Sequence, residues 1–331
     1  MKPVIGVALG DATGIGPEIA AKIFEDDDLL TYCRPIIIGD RRILEMGKEI
    51  AKTDFNVSEI NDPSQADWDG SLPLLDQKNL DPSDITMGQI NAESGRVTGE
   101  MLMLAMQLCK KGDMEGFAFG PYHKAAMEYG GFHLLEKLAS IFADHFDLHK
   151  PFGEMNVIKN LWTSRVTGHI PSKDIAENLS IQKIRDTIDL THDTLRRAGF
   201  DEPRLVVAAF NPHGGEDGLC GTEEIEIIKP AIEASKAEGM NVDGPFPADT
   251  LLFEAMKGDF DGVVTMYHDQ GQIAMKLMGF ETVVTVLAGL PFGVTTPAHG
   301  TAFDIAGKGI ANAAAMKQSV IIAAKIVGWR E

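Results

Sequence analysis

The sequence is short of cysteine, of long apolar runs and of positive charge, and each shortage removes a class of protein. Its three cysteines, Cys33, Cys109 and Cys220, are far apart and odd in number, and none belongs to a Cys-x-x-Cys pair. That pattern speaks against a disulfide framework or a cysteine zinc site and suits the reducing cytoplasm. No apolar run approaches the roughly 18 residues that a membrane-spanning helix needs. The first ten residues hold one lysine and a brief apolar stretch that runs directly into Asp11 and a glycine turn. They read as a first buried strand rather than a signal peptide. Thirty Lys and Arg stand against 49 Asp and Glu, a formal net charge of −19 with histidine neutral. A surface this acidic repels nucleic acid and anionic lipid, so neither is an expected partner. It also repels an acidic substrate at a distance, so capture of one needs local positive charge such as a bound divalent metal.

What is present is the composition of a globular protein: 331 residues, 44% hydrophobic and 24% charged, enough for two α/β lobes. Short apolar, β-branched runs at 4–9, 35–38, 116–119, 155–158, 204–209, 262–266 and 283–287 predict buried strands. Amphipathic stretches such as 93–110, 183–197 and 223–238 predict helices between them. Continuous apolar strands alternating with helices indicate an α/β sheet covered on both faces. The polar stretch 53–84 is the loosest part and is expected at the periphery. No repeat, low-complexity tract or linker divides the chain, so lobes built from non-contiguous segments are expected.

Glycine-, histidine- and acid-rich segments fall just after these strands, where α/β sheets hold their ligands. In Gly10-Asp-Ala-Thr-Gly-Ile-Gly-Pro-Glu18, Gly14 and Gly16 permit a tight turn and Pro17 suits a first helical turn. Glu18 falls where the helix dipole favours negative charge. The Gly-x-Gly-x-x-Gly order is missing, so the segment reads as a strand–helix connection and not as a pyrophosphate cradle. Phe210-Asn-Pro-His-Gly-Gly-Glu216 is a stiff turn presenting His213 and Glu216. Met266-Tyr-His-Asp-Gln-Gly271 presents His268 and Asp269, and Thr167-Gly-His-Ile-Pro171 presents His169. One loop histidine is ordinarily a surface residue. Three of the nine histidines just after strands, two with a carboxylate close by, suit Zn²⁺, Co²⁺ or Fe²⁺ with a position open for substrate oxygens. The spacing leaves open whether they converge. The segment 295–309 is rich in glycine and threonine. It suits either close approach of a nucleotide, with His299 at an adenine ring and Asp304 at a ribose hydroxyl, or an ordinary loop.

Together these segments resemble the 4-hydroxythreonine-4-phosphate dehydrogenase family over nearly the whole chain. The resemblance is carried by 10–18, Gly120-Pro-Tyr-His-Lys124, His169-Ile-Pro171, Asn211-Pro-His213 with Glu216, Gly244-Pro-Phe-Pro-Ala-Asp-Thr250, Tyr267-His-Asp-Gln-Gly271, Lys276 and His299-Gly-Thr-Ala302. The last also looks like the nucleotide loop of isocitrate and isopropylmalate dehydrogenases, whose fold the family shares. The resemblance implies a two-lobed α/β fold of that kind with its active site in a cleft between lobes. The lobes would be 1–125 plus 288–331, and 126–287 with most of the metal site. It further implies a homodimer in which His169, His213 and His268 bind a divalent metal, one of the three coming from the partner. Zinc is the expected ion, with cobalt, manganese or magnesium as alternatives. Asp249, Asp269 and Lys276 match residues near metal and substrate, and His299, Gly300, Thr301 and Asp304 match a loop for NAD or NADP. Within the resemblance, Asp304 near a ribose favours NAD by repelling a 2′-phosphate. The implied chemistry is oxidation of a hydroxy acid followed by decarboxylation.

The departures from the family bear on substrate. Where relatives with phosphorylated substrates carry Gly-His-Thr-Glu, this chain has Lys137-Leu-Ala-Ser140; Thr285, Val294 and Ala298 replace an asparagine, an arginine and an aspartate. Losing an arginine fork and strong donors weakens phosphate binding by several kcal/mol. These substitutions favour an unphosphorylated acid, such as a carboxylated cis-dihydrodiol of the terephthalate type, with Arg165 for the carboxylate and Trp162, Tyr122 and Phe292 for a ring. The alternative is a 4-phosphorylated four-carbon hydroxy acid (4-hydroxythreonine, threonate or erythronate 4-phosphate), with Lys124, Lys137 or His145 supplying the missing contact. Two other classes stand beside these: an inactive metal-binding ligand sensor, and a metal-dependent aldolase or hydrolase.

Overall fold

The computed structural model describes residues 2–25, 28–132 and 151–330. By its contacts the chain divides into two units, Met1–Asp147 with Leu290–Glu331, and Leu148–Gly289.

The first unit opens with β1 (Val4–Ala8), whose five residues are all buried, and α1 (Gly16–Lys22). The short α2 (Leu29–Tyr32), β2 (Arg34–Gly39) and α3 (Arg41–Ala51) follow. Asp40 starts α3 by accepting from the Arg42 backbone N–H, satisfying one of the donors that a helix N-terminus leaves free. Next come β3 (Val57–Ile60) and β4 (Leu72–Asp76). The stretch 53–84, expected to be loose, therefore contributes two strands. Its apolar content is concentrated in Leu74 and Leu75, both buried, and the Trp68 indole N–H donates to the Pro35 carbonyl at 2.7 Å. Asn91 caps the long α4 (Ala92–Lys111), which ends on left-handed Gly112; β5 (Gly116–Phe119) and α5 (Lys124–Tyr129) follow.

In the second unit β6 (Gly153–Ile158) and β7 (Leu161–Arg165) form a hairpin, and Ser180 caps α6 (Ile181–Arg197). Then come β8 (Leu205–Ala208), α7 (Lys229–Ala237), β9 (Val242–Phe246), α8 (Ala248–Met256), β10 (Gly262–Thr265), α9 (His268–Gly279) and β11 (Val284–Ala288). The chain returns to the first unit with β12 (Gly293–Pro297) and α10 (Ala314–Ile326).

Strand order in the first unit is β3-β4-β2-β1-β5-β12, all parallel. In the second it is β11-β6-β7-β10-β8-β9, where β6 runs antiparallel to both neighbours and the rest pair in parallel. The apolar runs are continuous because helices cover the sheet, so alternation has no solvent face to mark. Among the described residues no helix is long and apolar enough to cross a membrane.

Candidate active site

Three neighbouring strands of the second unit, β7, β10 and β8, end at the same edge of the sheet, and each is followed by one of the three histidine segments. Backbone and side-chain bonds fasten those strand ends together. After β7, the Val166 N–H donates to the Thr265 carbonyl at 2.9 Å, while the Thr167 N–H and hydroxyl both donate to the Met266 carbonyl. After β10, Gln270 accepts from the Met266 N–H and donates to the Ala209 carbonyl, each at 2.7 Å. One amide thus spans the ends of β10 and β8.

This brings His169 and His268 side by side, with ring centroids 5.3 Å apart. His268 opens α9, and its Nδ1 lies 2.7 Å from Asp269 Oδ1. A carboxylate at Nδ1 selects the Nδ1–H tautomer and leaves Nε2 as the donor toward a metal. His213 stands on the turn after β8 and lines a cavity of about 560 Å³ with Asp249 and Asp269. Asp249 lies in the first turn of α8. Neutral imidazoles and carboxylates are the donor set a borderline divalent ion takes, so the chemistry of these side chains fits one. Among the described residues no three His, Cys, Asp or Glu side chains form a complete metal-binding group.

The turn that carries His213 is unusual. His213, Gly214, Gly215, Glu216 and Asp217 all have left-handed backbone angles, with φ between 44° and 80°. Each non-glycine residue there costs on the order of 1 kcal/mol, so something must hold it. Glu224, buried at 1% exposure, accepts from the Phe210 and Asn211 backbone N–H groups at 2.8 and 2.7 Å and from Asn211 Nδ2 at 2.9 Å. Sequence reasoning missed this residue, since one acid among 49 carries no mark of burial.

Other expected site residues are placed as follows. Lys276 is exposed on α9, two turns past His268, with Nζ 5.9 Å from the Phe280 ring. Lys124 is exposed at the start of α5. Arg165, half-buried, forms an ion pair with Glu154 and donates to Asn156 Oδ1 at 3.1 Å. The hairpin register Asn156↔Thr163 sets Glu154 opposite Arg165, which explains the pair. Its guanidinium is thus engaged by Glu154 and Asn156. Trp162 and Phe292, expected near a ring-shaped ligand, are core residues at 3% and 5% exposure. Lys137, His145 and the stretch 137–144 lie outside the described residues.

In the first unit the loop 299–304 packs on the glycine turn after β1. The Ile15 N–H donates to the Thr301 carbonyl at 3.0 Å, and a Cβ on Gly14 would lie 2.8 Å from Thr301 Cβ. Thr301 is buried, His299 is half-buried, Asp304 is exposed, and Gly300 faces open space. Phe303 stacks on His123 at 5.1 Å and 10°. Glu18, buried in α1, fastens the chain farther on: its Oε1 accepts from the Ala311 N–H and from Lys22 Nζ, both at 2.8 Å.

The comparisons with known proteins agree with this architecture. The family model described as "Pyridoxal phosphate biosynthetic protein PdxA" matches residues 31–323. The chain is 40% identical over 328 residues to a Rhizobium meliloti protein named provisionally 4-hydroxythreonine-4-phosphate dehydrogenase 2, covering 98% of this chain and 93% of that one. It is 38% identical over 322 residues to an Oceanobacillus iheyensis protein named provisionally D-threonate 4-phosphate dehydrogenase, covering 96% of each. Among solved structures, a 4-hydroxythreonine-4-phosphate dehydrogenase from Burkholderia phymatum matches with a TM-score of 0.84 at 35% identity, covering 100% of both chains. A terephthalate 1,2-cis-dihydrodiol dehydrogenase from Burkholderia xenovorans shares the fold at a TM-score of 0.63 and 24% identity, covering 96% of each chain. The class these likenesses define is an α/β dehydrogenase. Within it, the chain belongs to the PdxA family.

Proposed function

We propose that this chain is a divalent-metal-dependent, NAD(P)-linked dehydrogenase of a four-carbon hydroxy acid bearing a 4-phosphate, with the threonate, erythronate and 4-hydroxythreonine 4-phosphates as the substrate class. The observation that carries the reading is that three adjacent strand ends lead to His169, His268 and His213, the first two with ring centroids 5.3 Å apart and the third lining a cavity with Asp249 and Asp269. When bound, the metal supplies Lewis acidity that lowers the pKa of the substrate hydroxyl and draws electron density during loss of carboxylate. Asp269 orients His268, and Asp249 stands in the same cavity to take the hydroxyl proton as hydride leaves for the nicotinamide. Lys276, on the stripe of α9 that starts at His268, meets an anionic group of the substrate. The loop residues His299, Gly300 and Asp304, with buried Thr301 as anchor, hold the dinucleotide.

The sequence departures favour an unphosphorylated acid, and the comparisons weigh the other way. The dihydrodiol dehydrogenase is a likeness of fold, whereas relatives named for 4-phosphate substrates match along the whole chain at 38–40% identity. Arg165, offered for a carboxylate, is engaged with Glu154. The cavity rim carries Ile273 and Leu277, 59% and 82% exposed, an apolar edge that supports closure of the site by a second copy.

The deciding experiment is NADH or NADPH formation by metal-loaded enzyme with two panels, 4-phosphorylated four-carbon hydroxy acids and unphosphorylated carboxylated diols. Turnover of a 4-phosphate is expected. Turnover confined to the unphosphorylated panel overturns the substrate assignment, and failure of either dinucleotide to bind overturns the dehydrogenase reading in favour of a ligand sensor.

A further inference from the structure

Glu224 lies eleven residues beyond His213, outside the turn that presents it, in a π-helical segment, Glu224–Ile228, that runs into α7. Wide turns of this kind are rare and gather at functional sites. Here the turn lets Ile228, Ala231 and Ile232 stay buried on the sheet while Glu224 reaches the loop after β8. Both of its oxygens are used. Oε1 takes the main-chain N–H groups of Phe210 and Asn211, and Oε2 takes Asn211 Nδ2. These donors stand at the entrance of the left-handed run 213–217. Farther along, Gly215 packs on the same carboxylate, where a Cβ would lie 2.7 Å from Oε2. Glu224 therefore grips the turn on both sides of His213.

We propose that Glu224 is the positioning residue of the candidate metal site, holding the His213 imidazole in place through the left-handed turn without touching the metal. The proposal rests on the reading of His213 as a metal donor. A carboxylate is needed at this position because it only accepts. The amide of a glutamine would turn its own N–H₂ toward Asn211 Nδ2, making one contact repulsive, or toward the two main-chain donors, making two repulsive. Neighbouring Glu223 accepts from Asn211 Nδ2 at 2.7 Å and, among the described residues, makes no bond to the main chain of the turn, so it is the natural control.

The test compares wild type, His213→Ala, Glu224→Gln, the double variant and Glu223→Gln by calorimetric titration with Zn²⁺ and Co²⁺. Hydrogen exchange at the Phe210 and Asn211 amides is followed in the metal-free protein. Glu224→Gln is expected to weaken metal binding about 10- to 100-fold, the range for groups that orient ligands. It should also speed exchange at both amides, add nothing in the His213→Ala background, and exceed the effect of Glu223→Gln. Gly215→Ala, which pushes the turn off Glu224 while leaving both side chains intact, should give the same pattern and serves if Glu224→Gln does not fold. If His213→Ala leaves metal affinity unchanged, the reading of the site itself fails. If His213→Ala weakens binding but neither Glu224→Gln nor Gly215→Ala does, this inference fails and the site stands. A loss of equal size with and without His213 also overturns it, since Glu224 would then act elsewhere.

Discussion

In the first unit, main-chain bonds tie the loops at the C-terminal ends of the strands to one another, with Ser94 and Asp40 adding side-chain acceptors for the Ala12 and Leu80 N–H groups. The Asp11 N–H donates to the Pro121 carbonyl at 3.0 Å, Ile15 to Thr301 at 3.0 Å and Gly88 to Thr13 at 2.8 Å. In the second unit main-chain bonds also join the ends of β7 and β10, but buried or half-buried side chains carry the loop after β8, with Gln270 spanning the ends of β10 and β8 and Glu224 gripping the turn beyond. Main-chain fastening is indifferent to most side chains but demands glycine where backbones meet: a Cβ on Gly16 would lie 2.3 Å from the Leu9 carbonyl. Side-chain fastening tolerates strained turns, yet it depends on single polar groups with a fixed pattern of donors and acceptors. The proposed division of labour follows. A nucleotide loop needs a fixed backbone surface, and a metal ligand needs an imidazole aimed within a fraction of an ångström.

The comparison can be broken most sharply at His213. His213→Ala is expected to abolish turnover and to weaken metal binding by more than about 100-fold while leaving dinucleotide affinity near wild type; the metal loss exceeds that for groups that only orient ligands. A variant with full metal occupancy and activity would end the three-histidine model. Next in size is Gly14→Ala in the first unit, which forces the turn away from Thr301. Overpacking of this kind costs about 1–3 kcal/mol. Dinucleotide affinity should fall roughly tenfold with Zn²⁺ affinity intact. Equal losses of both would show that the two fastenings are not separable.

Arg165→Met sharpens the contrast within the second unit. Thermal unfolding should report a loss of about 1–2 kcal/mol, less than for a fully buried pair because Glu154 is 38% exposed, with the substrate KM unchanged. A raised KM at unaltered stability would return Arg165 to the substrate. The smallest effect concerns the thiols. Cys220 is exposed, whereas Cys33 and Cys109 are buried, and burial pushes the Cys33 thiol up to about 12 and Cys109 up as well. Since the thiolate is the reactive form, an alkylating reagent should label Cys220 in the native protein and the other two only on unfolding.

The same contrast explains what could be read in advance. Strands such as Val4–Ala8, Gly116–Phe119 and Gly262–Thr265 were legible because a strand covered on both faces is apolar throughout. The glycine turn after β1 was legible because close backbone approach leaves a glycine signature. β3 and β4 were not, since a short peripheral strand with Pro73 inside it looks like a turn-rich stretch. β7 was missed for a related reason: Thr163, Ser164 and Arg165 are polar, and their burial depends on Thr191, Glu154 and Asn156 elsewhere in the chain. His213 and His268 announced themselves by residue type and by their place after expected strands. The groups that hold them, Gln270 and Glu224, did not, because a buried acceptor and a surface acid have the same letter.

The outermost strands of the two units carry a further consequence. β3 presents Glu59, bound to Arg41 at 2.7 Å and near Lys78 at 3.5 Å, and β9 presents exposed Asp243 beside Pro245. A strand from another molecule adding to β3 would have to strip water from a charged cluster, and at β9 it would find no N–H on the proline. Parallel sheets assemble slowly and expose such edges while they do. A charge at one margin and a proline at the other give this chain protection against edge-to-edge aggregation during that interval.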